Sequence, residues 1–216
     1  MKNIIFALAL TVFLGTIFQP TCYAQKSSKE IKKEMKKRAN KDARKQAKKY
    51  KKEGYRVNPG ALPMDKQLEK AWIKEYEEDD LGFPKYIVSP GQAVGQTQTA
   101  AKIQAIEMAK LELAGKIQTQ VAALIENSVG NQQLNNEDAT SVTQTIASSK
   151  SLIAQEIGRT ITLFEMYKNI KKNVEVRVRI AYNAEMAIES AKKIIRKELE
   201  EKTEIAHEKI EKMMDF

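Results

Sequence analysis

Cysteine and histidine are nearly absent from this 216-residue chain, and both shortages limit its chemistry. The one cysteine, Cys22, lies close to the N-terminus, and the one histidine, His207, lies in a charged stretch near the other end. A chain without a second cysteine forms no internal disulfide, so its stability must come from packing. Because there is one histidine, a Ser-His-Asp triad has only one candidate for its general base, and His207 in its charged surroundings is a poor one. A zinc site would have to be built from carboxylates. We interpret His207 as a solvated surface residue.

Glycine-rich and aromatic motifs are also scarce. Gly91 and Gly95 are not followed by the Gly-Lys-Ser/Thr of a phosphate-binding loop. The acidic run at 77–80 lacks the alternating Asp/Asn pattern of a calcium-binding EF-hand, so we interpret it as a solvated turn. A carboxylate pair for glycoside hydrolysis stays open, because Asp and Glu are common, but the aromatic content is only 6%. We therefore predict a protein that is not an enzyme, with no catalytic residue, no metal ligand and no cofactor.

Long apolar runs are missing except at the start of the chain. Lys2 precedes an apolar segment over 4–18, and Pro20 follows it. This pattern predicts a signal peptide over 1–24, cleaved between Ala24 and Gln25. The alternatives are an uncleaved membrane anchor and lipidation of Cys22, although Gln19-Pro20-Thr21 is not a lipobox. Export predicts a soluble or peripherally attached protein of the periplasm or cell envelope, so we predict no nucleic-acid partner.

The positive charge is confined to one segment. Residues 25–53 hold 14 Lys and Arg against 4 Asp and Glu, whereas residues 54–216 hold 22 against 24. We predict a basic helical arm over 25–53, with a thin apolar line that includes Met35, Ala39 and Ala43. One interpretation is a solvated helix or spacer; the other is a contact surface for anionic material. The candidate contact residues are Lys32, Lys33, Lys36, Lys37, Arg38, Lys41, Arg44, Lys45, Lys48, Lys49, Lys51 and Lys52.

Proline divides the rest of the chain, because every proline beyond the N-terminal segment lies between 59 and 90. We predict a proline-punctuated connector over 54–82 with a short helix at 65–76, an α+β domain over 83–183, and a C-terminal helix over 184–216. The domain is predicted as a small antiparallel sheet packed by long helices, with charged helical extensions at both ends of the chain. The predicted strands are 83–89, 160–168 and 174–182, and the predicted long helices are 99–127 and 137–157.

The periodicity also predicts which side chains are buried. Strict alternation places Val174, Val176, Val178 and Ile180 on the core face of the last strand, and Glu175, Arg177 and Arg179 on a solvated face. Pro90-Gly91 is expected to end the first strand, and residues 169–173 to form the hairpin loop. The C-terminal helix is expected to pack by its first third and then to project, along the basic N-terminal helix or along a partner helix. On helix 99–127 the predicted core stripe is Ile103, Ile106, Leu113, Ile117, Val121 and Leu124.

The alanine-rich segment 100–117, and Glu156-Ile157-Gly158-Arg159 leading into a hairpin, resemble the LPP-type 20-kilodalton bacterial lipoprotein family. The resemblance covers about residues 84–183, and the same fold occurs in the N-terminal domain of the flagellar assembly protein T. It implies an α+β fold and a cell-envelope location, and it assigns no catalytic residue. The chain departs from the family in having no lipobox before Cys22.

Two functions fit these observations. The first is a structural or interaction module of the envelope that contacts an envelope protein or a partner helix. The second is a polyanion-binding protein whose arm docks on anionic lipid, lipopolysaccharide or acidic glycan.

Overall fold

The computed structural model describes residues 28–129 and 136–215, so the predicted signal peptide and the Ala24–Gln25 junction lie outside the described residues. Among the described residues, no helix combines the length and the apolar character needed to cross a membrane. The described chain forms helices α1–α7 and strands β1–β3 in the order α1 (Ser28–Lys52), α2 (Met64–Glu75), β1 (Tyr86–Gly95), α3 (Gln98–Val129), α4 (Asn136–Ser148), α5 (Lys150–Glu156), β2 (Ile161–Ile170), β3 (Asn173–Asn183), α6 (Ala184–Lys202) and α7 (His207–Met214).

The three strands form an antiparallel sheet in the order β1-β3-β2, which confirms the predicted α+β class. The prediction that Pro90-Gly91 ends the first strand is wrong, because β1 continues to Gly95 and pairs there with Val174. β1 is an edge strand, and proline is tolerated at an edge where its nitrogen has no ladder partner. The hairpin loop is also shorter than the predicted 169–173. A two-residue turn, Lys171 and Lys172, joins β2 to β3.

The long helix α3 packs on the sheet through small residues. Seven of its eight fully buried positions follow one another at intervals of four: Ala101, Ala105, Ala109, Leu113, Ile117, Val121 and Ile125; the eighth is Ala114. The predicted stripe is therefore wrong in part, because Ile103 is 57% exposed and Ile106 and Leu124 are only partly buried.

Glycines on β1 explain why alanines occupy the buried line of α3. A methyl group placed on Gly91 would overlap the carbonyl oxygen of Ala105 and lie 2.8 Å from the Cβ of Ala109. A methyl group on Gly95 would lie 2.7 Å from the amide nitrogen of Ala101. The helix backbone thus lies directly on the strand, and larger side chains have no room in this interface.

The helical segments after α3 are broken where single helices were predicted. The predicted helix 137–157 is two helices that break at the buried Ser149, although its predicted core residues Val142, Ile146, Ile153 and Ile157 are buried. The predicted C-terminal helix is also two helices, α6 and α7, and the prediction that it projects is wrong. Arg196 of α6 lies 3.1 Å from Glu211 of α7, and the apolar face of α7 is fully buried. A projecting helix would leave that apolar face in water.

The second face of the sheet is covered as well, so the predicted solvated face is wrong. Ala43 and Ala47 of α1, Leu68 of α2 and Tyr55 between them belong to a second buried cluster with side chains of all three strands. Arg56 adds a backbone bridge to Tyr167 of β2. The described chain therefore has three layers, with α1 and α2 on one side of the sheet and α3–α7 on the other.

Candidate functional site

The predicted anion-contact residues lie on α1 and face solvent. The side chain of Lys32 lies outside the described side chains, and the other eleven cations, from Lys33 to Lys52, are all exposed. The opposite side of the helix carries Ala39, Ala43 and Ala47, which are buried in contact with α2 and its surroundings. We call the eleven exposed side chains the cationic face. The helix is therefore a fixed element of the fold that presents its charge outward.

Polar and aromatic contacts set the orientation of α1. Asn40 Nδ2 donates to Glu69 Oε2 of α2 at 2.9 Å, and Lys66 Nζ donates to the same oxygen at 2.8 Å. These two hydrogen bonds, from Lys66 first and then from Asn40, lower the pKa of Glu69. Near the end of the helix, the ring of Tyr50 packs edge-on against Tyr55 at 5.7 Å. The cationic face is thus held at two points along its length.

The ion pair between Arg38 and Asp42 on this face is long and exposed. Arg38 Nε and Asp42 Oδ2 are 4.0 Å apart, and the Arg38 side chain is almost fully exposed. A surface ion pair of this kind contributes little energy and is screened by salt. Lys41, Lys45, Lys48 and Lys52 follow one another at intervals of four, three and four, which puts them on one stripe of the helix. The arrangement is a continuous positive surface along one side of the helix.

A second polar site lies between the sheet and the segment after α1. Glu175 of β3 is 4% exposed and accepts hydrogen bonds from the Tyr55 hydroxyl and from Gln92 Nε2, the latter at 2.8 Å. Lys168 Nζ and Arg177 Nε each lie 3.2 Å from its oxygens. Burial acts to raise the pKa of Glu175, but the hydrogen bonds of Tyr55 and Lys168 outweigh it and the pKa is lowered.

The surroundings of Glu175 favour a structural role. The carboxylate is held ionised by two cations and two further donors, so it has little tendency to take up a proton in a reaction. Burial and the hydrogen bond to Glu175 raise the pKa of the Tyr55 phenol, which keeps that group protonated as a donor. The cluster fixes Tyr55, and with it the end of α1, on the sheet. Sequence reasoning missed it because the alternation of β3 is also the pattern of a solvated face.

Three potential metal ligands meet where α7 folds back on α6. Ligand atoms of Glu200, His207 and Glu211 lie within 4.8 Å of one another, and all three residues are at least partly exposed. His207 Nδ1 is 3.1 Å from Glu200, whereas its Nε2 is 3.8 Å from Glu211. The two ring nitrogens thus face different carboxylates, which favours polar contacts among the side chains over a site centred on one ion. The spacing of His207 and Glu211 is visible in the sequence, but Glu200 joins them only through the unpredicted turn at 203–206.

Comparison with known proteins adds no assignment: no family model, curated protein or solved structure matches the chain. The resemblance to the lipoprotein family therefore stays a prediction.

Proposed function

We propose that this protein is an exported, non-catalytic interaction module of the cell envelope, and that the cationic face of α1 is its contact surface for anionic material. The observation that carries the proposal is that α1 buries Ala39, Ala43 and Ala47 on its inner side while its eleven described cations are all exposed. The shared chemistry of its ligand is a dense array of phosphate or carboxylate groups, as on anionic lipid or an acidic glycan.

Packing of α1 on the domain supports this proposal over a flexible spacer. A spacer gains nothing from buried alanines, whereas a binding surface gains affinity when its charges are held in place before contact. The second predicted contact element, the C-terminal helix, offers less surface to a partner helix, because Ile210, Met213 and Met214 are buried in the core. The cationic face is therefore the stronger candidate for a contact surface.

The test is a charge substitution, because deleting α1 would also remove part of the second core. The binding variant changes four lysines of one stripe to glutamine: Lys41, Lys45, Lys48 and Lys52. The control variant removes the same charge from exposed lysines elsewhere: Lys171, Lys172, Lys193 and Lys197. Protein is purified from cells that express the full chain. Its intact mass is expected to correspond to a chain that begins at Gln25. Co-sedimentation is measured with anionic phospholipid vesicles and, separately, with an insoluble acidic polysaccharide.

A basic residue near an anionic surface contributes about 1 kcal/mol, so the loss of four lysines costs about 4 kcal/mol and the binding variant is expected to lose about a thousandfold in affinity at low salt. The control variant should lose less than about threefold. Exposed charges are screened beyond about 8 Å at physiological salt, so binding by the unsubstituted protein should weaken steeply with ionic strength. Failure to bind either anionic material at low salt, or equal losses in the two variants, would overturn the proposal.

A further inference from the structure

A groove of about 480 Å³ runs between α1 and α2 beside the cationic face. We call it the α1–α2 groove. Its apolar side chains are unusually open to solvent, since Met35 is 41% exposed and Tyr76 is 58% exposed. Trp72 is half-buried and Ile73 is exposed at the edge of the same groove. The inner side of α2 is buried through Leu68 and Ala71, so these groove residues form a second apolar side of that helix that is left open.

The groove and the cationic face are continuous. Arg38 belongs to the cationic face and also lines the groove, together with Ala39 and Asp42 of α1. Two acidic side chains at and just beyond the end of α2 are paired with cations. Glu75 is 3.0 Å from Arg179, and Glu77 is 2.6 Å from Lys74. The exposed acidic run at 78–80 follows in the chain, so the attraction for a negatively charged surface comes from the α1 side of the groove.

We propose that the α1–α2 groove is a hydrophobic anchoring site for an anionic lipid surface, which the cationic face recruits. This inference rests on the proposed function and names one of its ligand classes. Trp and Tyr prefer the boundary between headgroups and acyl chains, and Met adapts to irregular apolar neighbours. Positive charge beside exposed apolar side chains is complementary to an amphiphile. An acidic glycan matches the charge but offers little apolar surface to cover Met35, Ile73 and Tyr76.

The molecule carries its own probe of this site, because Trp72 is the only tryptophan in the chain. The full chain is expressed and the purified protein is titrated with vesicles of phosphatidylcholine and phosphatidylglycerol, with vesicles of phosphatidylcholine alone, and with soluble inorganic polyphosphate. We expect a blue shift of Trp72 emission, and quenching by brominated acyl chains, with the anionic vesicles. Polyphosphate supplies the charge without acyl chains and should leave the emission maximum unchanged.

A paired substitution tests the groove directly. Changing Ile73 and Tyr76 together to serine should lower affinity for anionic vesicles by about tenfold, because their exposed apolar area no longer enters the lipid. The matched control is Ile103→Ser, which removes an isoleucine that is 57% exposed on α3, across the sheet from the groove. Its vesicle affinity should stay within about twofold. All the substituted side chains are exposed, so urea melts are expected to show that the variants remain folded.

The outcomes separate this inference from the proposed function. Binding to anionic vesicles without a change in Trp72 emission, and with equal affinity in the Ile73/Tyr76 variant, would overturn the anchoring site and leave the cationic face standing. The same blue shift with polyphosphate would replace the lipid with a soluble polyanion. Absence of binding to every anionic material would overturn the proposed function itself.

Discussion

Substitution of Gly91 by alanine tests the close contact between β1 and α3. The added methyl group would lie 2.8 Å from the Cβ of Ala109 and 2.9 Å from its amide nitrogen, and it would overlap the carbonyl oxygen of Ala105. Nonbonded carbon atoms prefer a separation of about 3.5–4.0 Å. The obstructing atoms belong mostly to helix backbone, so relief requires α3 to move away from β1. Overpacking of this kind typically costs about 1–3 kcal/mol, and we expect the upper end of that range.

The chain supplies a matched control in Gly158. A methyl group there meets nothing within 4 Å, and Gly158 is not among the glycines with a positive φ. Gly158→Ala should be neutral, or stabilising by up to about 1 kcal/mol, because alanine restricts the unfolded chain. In urea, with an m-value of about 2 kcal/mol/M, a loss of about 3 kcal/mol lowers the midpoint by about 1.5 M. Equal midpoints for the two variants would refute the proposed helix–strand contact.

Three further predictions concern the core and its charges. Ile117→Ala should lower the free energy of unfolding by about 2–5 kcal/mol, whereas Ile103→Ala on the same helix should change it by less than about 0.5 kcal/mol; urea melts that give equal losses would place the buried face of α3 elsewhere. Ala43→Glu buries a carboxylate and should destabilise the whole domain by about 3 kcal/mol in a single unfolding transition, whereas the control Lys45→Ala should change the free energy of unfolding by less than about 0.5 kcal/mol. A separate early unfolding transition in circular dichroism would instead show that α1 unfolds alone. The folded-state pKa of Glu175 is lowered, so ionisation of this carboxylate stabilises the fold at pH values above the ordinary glutamate pKa of about 4.3, and that stabilisation is lost as the pH falls through the folded-state pKa. The loss of unfolding free energy caused by Glu175→Gln should therefore be largest near pH 7 and smaller at pH 3; a loss that grows in acid would contradict the assigned ion pairs.

Regular alternation made the core face of the central strand predictable. Val176, Val178 and Ile180 are buried as expected, because a period of two assigns a whole strand at once. The same period could not show that the other face is covered. Glu175 and Arg177 look like solvent-facing residues until Tyr55, 120 residues earlier in the chain than Glu175, is placed beside them. Burial of charge depends on tertiary partners, which no local pattern contains.

The phase of α3 was mispredicted for a different reason. Isoleucine carries more weight than alanine in a hydrophobic stripe, so Ile103 was favoured over Ala101 and Ala105. A close helix–strand contact selects for small side chains, and the glycines opposite them were the available signal. The turn between α6 and α7 had no such signal, because 203–206 contains neither glycine nor proline. The cations of α1 are predictable one by one from the sequence. Their orientation toward solvent follows from the packing of α1 on α2, which the local sequence pattern does not show.

The charge pattern of α1 differs from that of α6 in a way that favours binding over stability. On α6 opposite charges lie one turn apart, as in Lys193 with Glu189 at 2.8 Å. On α1 lysines face lysines one turn apart, and like charges at this spacing destabilise a helix by about 0.2–0.5 kcal/mol per pair. Lys41 has such a neighbour on each side, Lys37 and Lys45.

Lys41→Glu should therefore turn two repulsive pairs into attractive ones. We expect a gain of about 0.5–2 kcal/mol in urea melts at low salt, most of which disappears at high salt, together with weaker binding to anionic vesicles. A helix whose charge serves only solubility would gain the stability and lose no binding. A loss of stability at low salt would show that the cations of α1 do not repel one another.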